Sequence, residues 1–101
     1  MGETYVIVTV KNPADRSRAW EGRFLVDTGA HETFVPRCHL EAIGIEPLGS
    51  SLYELADGST SEFDTAQALL EFMGESVHGN VVFGDEGVEP LLGYLPSRRP
   101  A

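Results

Sequence analysis

The sequence predicts a mostly β fold, a small closed or nearly closed β-barrel with one short helix, on the strength of three observations. Runs of β-branched and aromatic residues recur along the chain, and such runs favour strands. Turn signals built from glycine, proline, asparagine and aspartate separate these runs. The chain has 101 residues, of which 42% are hydrophobic, enough for one modest core. We therefore expect residues 1–101 to form a single domain, one lobe per chain.

The N-terminal part of the chain predicts a β-hairpin. Residues 4–10, TYVIVTV, favour a first strand, and residues 19–26, AWEGRFLV, favour a second. Asn12-Pro13 and the polar residues 14–17 predict the turn between them. Because this connection is short, the two strands should pair antiparallel.

A short helix is predicted directly after the next apolar run, residues 33–35. Pro36 stands where a helix can begin and Gly44 where it can end, so we expect one or two helical turns over residues 37–43. Two further predictions concern single side chains. Trp20 and Phe24 should belong to the core, whereas Cys38 and His39 should lie on the surface of the helix.

The remaining chain predicts strands separated by turns. The expected strands are residues 51–55, 60–72 and 76–83, with a last apolar segment at residues 90–93. Asp57-Gly58 lies at the centre of one turn signal, and Met73-Gly74-Glu75 forms another. Residues 84–89 are rich in glycine and acidic residues and should form a loop.

Charge and composition argue against several classes of function. Sixteen acidic residues outnumber seven basic ones, for a net charge of −9, whereas nucleic acids and anionic membranes require clusters of lysine and arginine. No apolar run is long enough to span a bilayer, and the N-terminus lacks the pattern of a signal peptide. Cys38 is the only cysteine, so no internal disulfide is possible. The default expectation is a soluble cytoplasmic protein.

Asp27 stands at the end of the second predicted strand, directly before Thr28-Gly29-Ala30. Burying an unpaired carboxylate is unfavourable, so its position requires an explanation. In one interpretation Asp27 forms an ordinary Asx-turn at the end of a strand. In the other, two carboxylates share a proton, and together they activate a water molecule and protonate a leaving group. Gly29, which lacks a Cβ, would then let a substrate backbone approach closely.

Three stretches of the chain resemble the retropepsin-like aspartic proteases in their small, single-domain prokaryotic form. They are FLVDTGAHETFVP (residues 24–36), ELADGSTSEF (54–63) and VVFGDEGVEPLLG (81–93), and they occur in the family's order. The resemblance covers roughly residues 4–93. It implies an aspartic endopeptidase that acts on a peptide or protein substrate, works as a homodimer and needs no cofactor.

The resemblance also implies a role for individual residues. Asp27 would be the catalytic aspartate, and Thr28, Gly29 and Ala30 would form the active-site loop, in which Thr28 grips its counterpart across the dimer. The flap and the segment that packs behind the loop would be formed by two further groups of residues, Ala56, Asp57, Gly58 and Ser59 for the flap and Leu91, Leu92 and Gly93 for the packing segment.

A catalytic pair requires a second aspartate, and this sequence contains one Asp-Thr-Gly motif. The other aspartates, Asp15, Asp57, Asp64 and Asp85, do not precede Thr-Gly or Ser-Gly. Since a residue near a two-fold axis meets its own copy, the expected partner of Asp27 is Asp27 of a second chain.

Two departures from the family pattern leave alternatives open. His31 stands where viral relatives often carry an acidic residue that binds substrate backbone, so it is a candidate for lining the cleft with an open role. Residues 94–101 contain Pro96 and Pro100, which disfavour the helix that the family usually forms after the glycine. This tail is either truncated or pairs differently. The alternative function is therefore a catalytically weak or inactive module for dimerisation or peptide binding.

Metal binding is not predicted, although several side chains of metal-ligand type occur near the motif. These are His31, Glu32, Cys38, His39 and Glu41. Their spacing matches neither a zinc knuckle nor the His-Glu-x-x-His helix. Cys38 is not expected to be a nucleophile, because no motif supplies it with a base.

Overall fold

The structure is a computed structural model, and it describes residues 4–26, 32–54 and 57–93. These residues confirm the predicted fold class, which is mostly β with one short helix. The elements in chain order are β1 (Tyr5–Asn12), β2 (Asp15–Val26), β3 (Thr33–Pro36), α1 (Arg37–Ala42), β4 (Gly49–Glu54), β5 (Thr60–Phe72), β6 (Glu75–Gly84) and β7 (Leu91–Leu92).

The described strands form one seven-stranded sheet in the order β1-β2-β7-β3-β6-β5-β4. β1 also pairs with β5, with Val10 opposite Leu70. The six strands β1, β2, β7, β3, β6 and β5 therefore form a ring of paired strands, and β4 lies outside it. A closed or nearly closed barrel requires such a pairing between distant strands, and the barrel itself stays a prediction. Most neighbouring strands are antiparallel, but β2 runs parallel to β7, and β3 runs parallel to β6.

The predicted hairpin of β1 and β2 is present, but the predicted turn over residues 14–17 is wrong, because β2 already begins at Asp15. Asn12 closes the turn early, since its side-chain oxygen accepts a hydrogen bond from the Ala14 amide at 2.8 Å. Asp15 then accepts bonds from the Ser17 amide and hydroxyl at 3.1 and 2.6 Å. These side-chain bonds accommodate a polar run inside an exposed strand.

The core lies between the strands of the ring and α1. Its fully or almost fully buried members are Val8, Val10, Phe24, Val35, Leu40, Ile43, Ile45, Ala66, Ala68, Leu70, Val81, Phe83 and Leu92. Burying a large apolar side chain contributes about 1.5–3 kcal/mol, so this cluster supplies the main stabilisation of the fold. The prediction for Phe24 is confirmed, whereas Trp20 is half-buried and packs against the margin of the core.

Helix α1 begins after Pro36, as predicted, and ends one residue earlier than predicted. Gly44 follows with a φ of 82°, a conformation that favours glycine, and its amide donates to the Glu41 carbonyl at 3.0 Å. Leu40 anchors the helix in the core. Cys38 is exposed as predicted.

The prediction that His39 lies on the surface of the helix needs correction. It is half-buried, and its ring stacks on Trp20 with centroids 4.1 Å apart and planes 11° apart. The stack joins α1 to β2 across the chain, a long-range contact that sequence spacing does not reveal.

Candidate active site

The predicted active-site loop lies outside the described residues, together with one residue of the predicted flap. The residues concerned are Asp27, Thr28, Gly29, Ala30, His31 and Ala56. The roles of these residues stay predictions. The structure does describe the elements on both sides of the loop, and their contacts define its surroundings.

β7 lies between the strand that leads to Asp27 and the strand that follows the loop. Leu91 pairs with Leu25 of β2 in a parallel register and with Phe34 of β3 in an antiparallel register. Leu92 pairs with Val26, the last described residue before Asp27. The two described flanks of the predicted loop are therefore held on either side of the segment that was expected to pack behind it.

Gly93 contacts the backbone immediately after the predicted loop. Its amide donates to the hydroxyl of Thr33, which is 1% exposed, with nitrogen and oxygen 3.3 Å apart. A Cβ on Gly93 would lie 2.8 Å from the backbone nitrogen of Glu32 and would overlap the Glu32 carbonyl oxygen. Glycine is therefore required here by close approach of two backbones. Thr33 was not singled out from the sequence, and its short polar side chain within an apolar run was the available signal.

β4 and β5 form an antiparallel hairpin, with Glu54 opposite Thr60 at its end. In the described part of the connection, Gly58 has a φ of 89°. The Asp57 carboxylate accepts bonds from the Ser59 hydroxyl at 2.6 Å and the Ser59 amide at 2.9 Å. The hydroxyl bond, followed by the amide bond, lowers the pKa of Asp57 below its ordinary value. The predicted Asp-Gly turn signal thus coincides with an Asx-turn in the structure.

Three aromatic residues that no sequence motif marks as a group link this hairpin to β3. They are Phe34, Tyr53 and Phe63, with ring centroids 5.9–6.2 Å apart. Burial raises the pKa of Tyr53, and the charge of Glu32 raises it further. The Tyr53 hydroxyl therefore stays neutral near neutral pH. Strands were predicted around Tyr53 and Phe63, whereas Phe34 was placed only in an apolar run. The contact among the three rings depends on strand pairing across distant segments.

In the described part of the chain, the side chains near the Asp-Thr-Gly motif that could bind a metal do not come together into a site. Among residues 4–26, 32–54 and 57–93, no group of three or more His, Cys, Asp or Glu side chains is arranged to hold a metal ion. A hydrogen bond to Glu86 raises the pKa of the Cys38 thiol, with desolvation adding to the effect. A raised pKa reduces the thiolate fraction, so Cys38 is a poor nucleophile near neutral pH.

No helix within the described residues is sufficiently long and apolar to cross a membrane.

The mostly β architecture described above is a retropepsin-like fold, as a comparison with a solved structure shows. The solution structure of the simian foamy virus (mac) protease is similar to this chain, with a TM-score of 0.62 and 20% sequence identity. The similarity covers 97% of this chain and 100% of that chain. At this identity the comparison establishes the fold. A scan against protein-family models finds no match, and a search of curated proteins finds none either. The assignment to a small prokaryotic type stays a prediction.

Proposed function

We propose that this protein is an aspartic endopeptidase that acts as a homodimer and hydrolyses peptide bonds without a cofactor. The observation that carries the proposal is the agreement of motif with fold. Asp-Thr-Gly follows β2 directly in the sequence, and the fold is similar to that of the simian foamy virus protease over 97% of the chain. The close contact of Gly93 with Glu32 adds support, because it binds the C-terminal glycine element to the chain beside the motif.

In the proposed mechanism, the Asp27 carboxyl groups of two chains share one proton. One carboxylate takes a proton from the attacking water, while the protonated group gives its proton to the carbonyl oxygen, which forms a tetrahedral gem-diol. As the C–N bond breaks, the first group passes the proton it took from water to the leaving nitrogen. The second group takes a proton back from the gem-diol, which restores the shared-proton pair. Two carboxylates about 3 Å apart cannot both ionise readily, so their apparent pKa values separate. The active form exists between these two values, and the rate should follow a bell-shaped, mainly acidic pH profile.

The hairpin of β4 and β5 is proposed to act as the flap over an extended peptide. Its described connection contains Gly58 in a conformation that favours glycine, and the residues around it are exposed. Closure of such a hairpin would exclude water from the reacting bond. The peptide backbone would pair with strand-like segments, and side-chain pockets would set the preference for sequence.

A digest of a peptide library between pH 4 and pH 6 tests the proposed activity. We expect cleavage products that disappear when a statine-type transition-state mimic is added, because the mimic occupies both aspartates. Cleavage that persists with the mimic, or a rate that keeps rising to pH 9, would contradict a carboxylate pair.

The second candidate is a module of the same fold that binds peptides or dimerises without cleaving. The observation that favours it is the C-terminal sequence, in which Pro96 and Pro100 disfavour the usual pairing helix. The same digest separates the two candidates. A protein that binds the statine-type mimic in calorimetry but releases no products at any pH between 3 and 8 would be the binding module.

A further inference from the structure

The outer part of the β4–β5 hairpin is a two-stranded ribbon. β4 pairs with β5 over residues 49–54, and in the described structure it has no second strand neighbour. β5 joins β6 from Thr65 onward, so residues 60–64 pair with β4 alone. An isolated two-stranded ribbon is marginally stable in water. Its position must therefore depend on contacts with the rest of the chain.

One such contact is an aromatic cluster formed by Phe34, Tyr53 and Phe63. Phe34 belongs to β3, Tyr53 to β4 and Phe63 to the outer part of β5. The centroid distances are 5.9 Å for Phe34–Tyr53, 6.2 Å for Phe34–Phe63 and 5.9 Å for Tyr53–Phe63, in edge and tilted geometries. These separations and orientations are the favourable ones for aromatic pairs. Both strands of the ribbon are thus held against β3.

A second contact is polar and involves Asp64, the neighbour of Phe63 in β5. Arg37, the first residue of α1, forms an ion pair with Asp64 at 2.5 Å, and its guanidinium lies 4.9 Å from the ring centre of Phe83. Both partners are more than a third exposed, so solvent weakens this pair. Of these two contacts, the aromatic cluster is the one that solvent screening does not weaken.

The cluster also lies close to the contact between Gly93 and Glu32, beside the predicted active-site loop. Phe34 is two residues after Glu32, whose backbone touches Gly93, and Phe34 itself pairs with Leu91. The three rings of the cluster are half-buried and do not belong to the main core. An attachment outside the core can change without unfolding the domain.

We propose that the aromatic cluster is a latch, an attachment that sets the position of the hairpin relative to β3 and to the nearby Gly93–Glu32 contact. When the three rings are in contact, the outer part of the hairpin packs against β3. When they separate, the hairpin lifts while the ring of strands stays intact. The consequence for catalysis rests on the proposed protease function, since there the hairpin would close over the peptide. Phe34, Tyr53 and Phe63 are then positioning residues, which act through the hairpin.

Hydrogen exchange of backbone amides tests the latch without requiring any activity. In Tyr53→Ala we expect exchange in residues 49–54 and 60–64 to accelerate about ten-fold, because two ring contacts are lost. Exchange in β1 and β2 should be unchanged. Phe63→Leu provides a second variant in which the ring is lost but an apolar side chain remains, and it should show a smaller acceleration in the same segments.

Two matched controls isolate the ring contact. Tyr53→Phe keeps the ring, so its backbone amides in residues 49–54 and 60–64 should exchange at the rates of the original protein. Leu52→Ala changes the neighbouring side chain of the same strand, which is 71% exposed and outside the cluster, and should also have little effect. Unchanged exchange in Tyr53→Ala would overturn the latch. Acceleration throughout the domain would overturn it too, because the rings would then support the whole fold.

A kinetic measurement extends the test to the proposed protease. In an active enzyme, Tyr53→Ala should raise KM for a peptide several-fold more than it lowers kcat, since the hairpin would close less readily on bound substrate. A selective fall in kcat would overturn this positioning role. If no variant cleaves peptides, the proposed function fails while the exchange result still decides the latch.

Discussion

Gly93 and Glu32 are in backbone contact, and this contact joins the last described strand to the chain that follows the predicted loop. The space a side chain would need at Gly93 is filled by the Glu32 backbone. The neighbouring Thr33 hydroxyl accepts the Gly93 amide at 3.3 Å, which satisfies two buried polar groups at once. A single absent Cβ therefore determines how closely the two segments approach.

Gly93→Ala should destabilise the fold by about 1–3 kcal/mol, because the added methyl group forces the backbones of Gly93 and Glu32 apart. Urea-induced unfolding measures the change. Gly49→Ala is the matched control, since its added Cβ would meet nothing closer than the Thr65 hydroxyl at 3.8 Å. Equal stability of the two variants would show that the backbones of Gly93 and Glu32 can separate at little cost.

The stack of His39 on Trp20 is the second prediction at this scale. His39→Ala should lower the free energy of unfolding by about 0.5–1.5 kcal/mol, the range for an aromatic pair. Thermal unfolding followed by the fluorescence of Trp20, the only tryptophan, measures this effect. His78→Ala, at an exposed position of β6, is the control and should change stability by less than about 0.5 kcal/mol. Equal melting temperatures of the two variants would show that the stack of His39 on Trp20 does not contribute to the stability of the fold.

At the scale of elements, the strands could be predicted because their residues are β-branched, aromatic and bounded by turn signals. β1, β5 and β6 lie close to the predicted segments. The start of β2 could not be predicted, because Asp15 and Ser17 satisfy each other's polar groups locally within an exposed strand. The aromatic cluster could not be predicted as a cluster either, since its members come from three strands that are distant in sequence.

The pairing of β1 with β5 carries a prediction about pH. Lys11 of β1 forms an ion pair with Glu71 of β5 at 2.9 Å, and the hydrogen bond to Lys11 lowers the pKa of Glu71 below its ordinary value of 4.5. A lowered pKa in the folded state means that this stabilisation is present above about pH 4.5. It is lost as the pH falls through the lowered value.

Unfolding of the original protein and of Glu71→Gln should be compared from pH 7 downward. The variant should be less stable at pH 7, and the difference should shrink below pH 4.5 as Glu71 of the original protein becomes protonated. In a Lys11→Met background, Glu71→Gln should have little effect at either pH. A stability difference that is independent of pH would contradict an electrostatic origin.

At the scale of the whole molecule, charge opposes the association that the proposed function requires. Each chain carries a net charge of −9, so two chains repel each other near neutral pH. Protonation of carboxylates reduces this charge, and salt screens it. Acidic conditions would therefore favour both the proposed proton-sharing pair and the dimer that contains it.

Association should be weak and dependent on concentration, and it should strengthen both at lower pH and at higher salt. Specific activity should rise with enzyme concentration, because the proposed site is complete only in the dimer. Sedimentation between nanomolar and high micromolar concentrations, at pH 7 and pH 5, measures the association. A dimer that stays intact at nanomolar concentration and pH 7 would show that a strong interface exists elsewhere on the chain.

The candidate site could be predicted from short motifs, and the structure describes their surroundings. Leu91, Leu92 and Gly93 could be singled out because two apolar residues before a glycine are a compact signal in the resemblance. For Thr33 the sequence offered only a polar side chain beside apolar residues, and for Tyr53 it offered no signal, because their contacts with Gly93 and Phe34 form only in the folded chain. The catalytic role of Asp27 remains the central proposal.

Peptide hydrolysis by Asp27→Asn tests that proposal most directly. The amide keeps the size of the carboxylate but cannot act as a base, so turnover at the acidic optimum should be abolished while the variant stays folded and able to dimerise. Asp85→Asn, at an exposed position after β6, is the matched control and should retain activity. Unchanged turnover in purified Asp27→Asn would contradict a catalytic role for this aspartate.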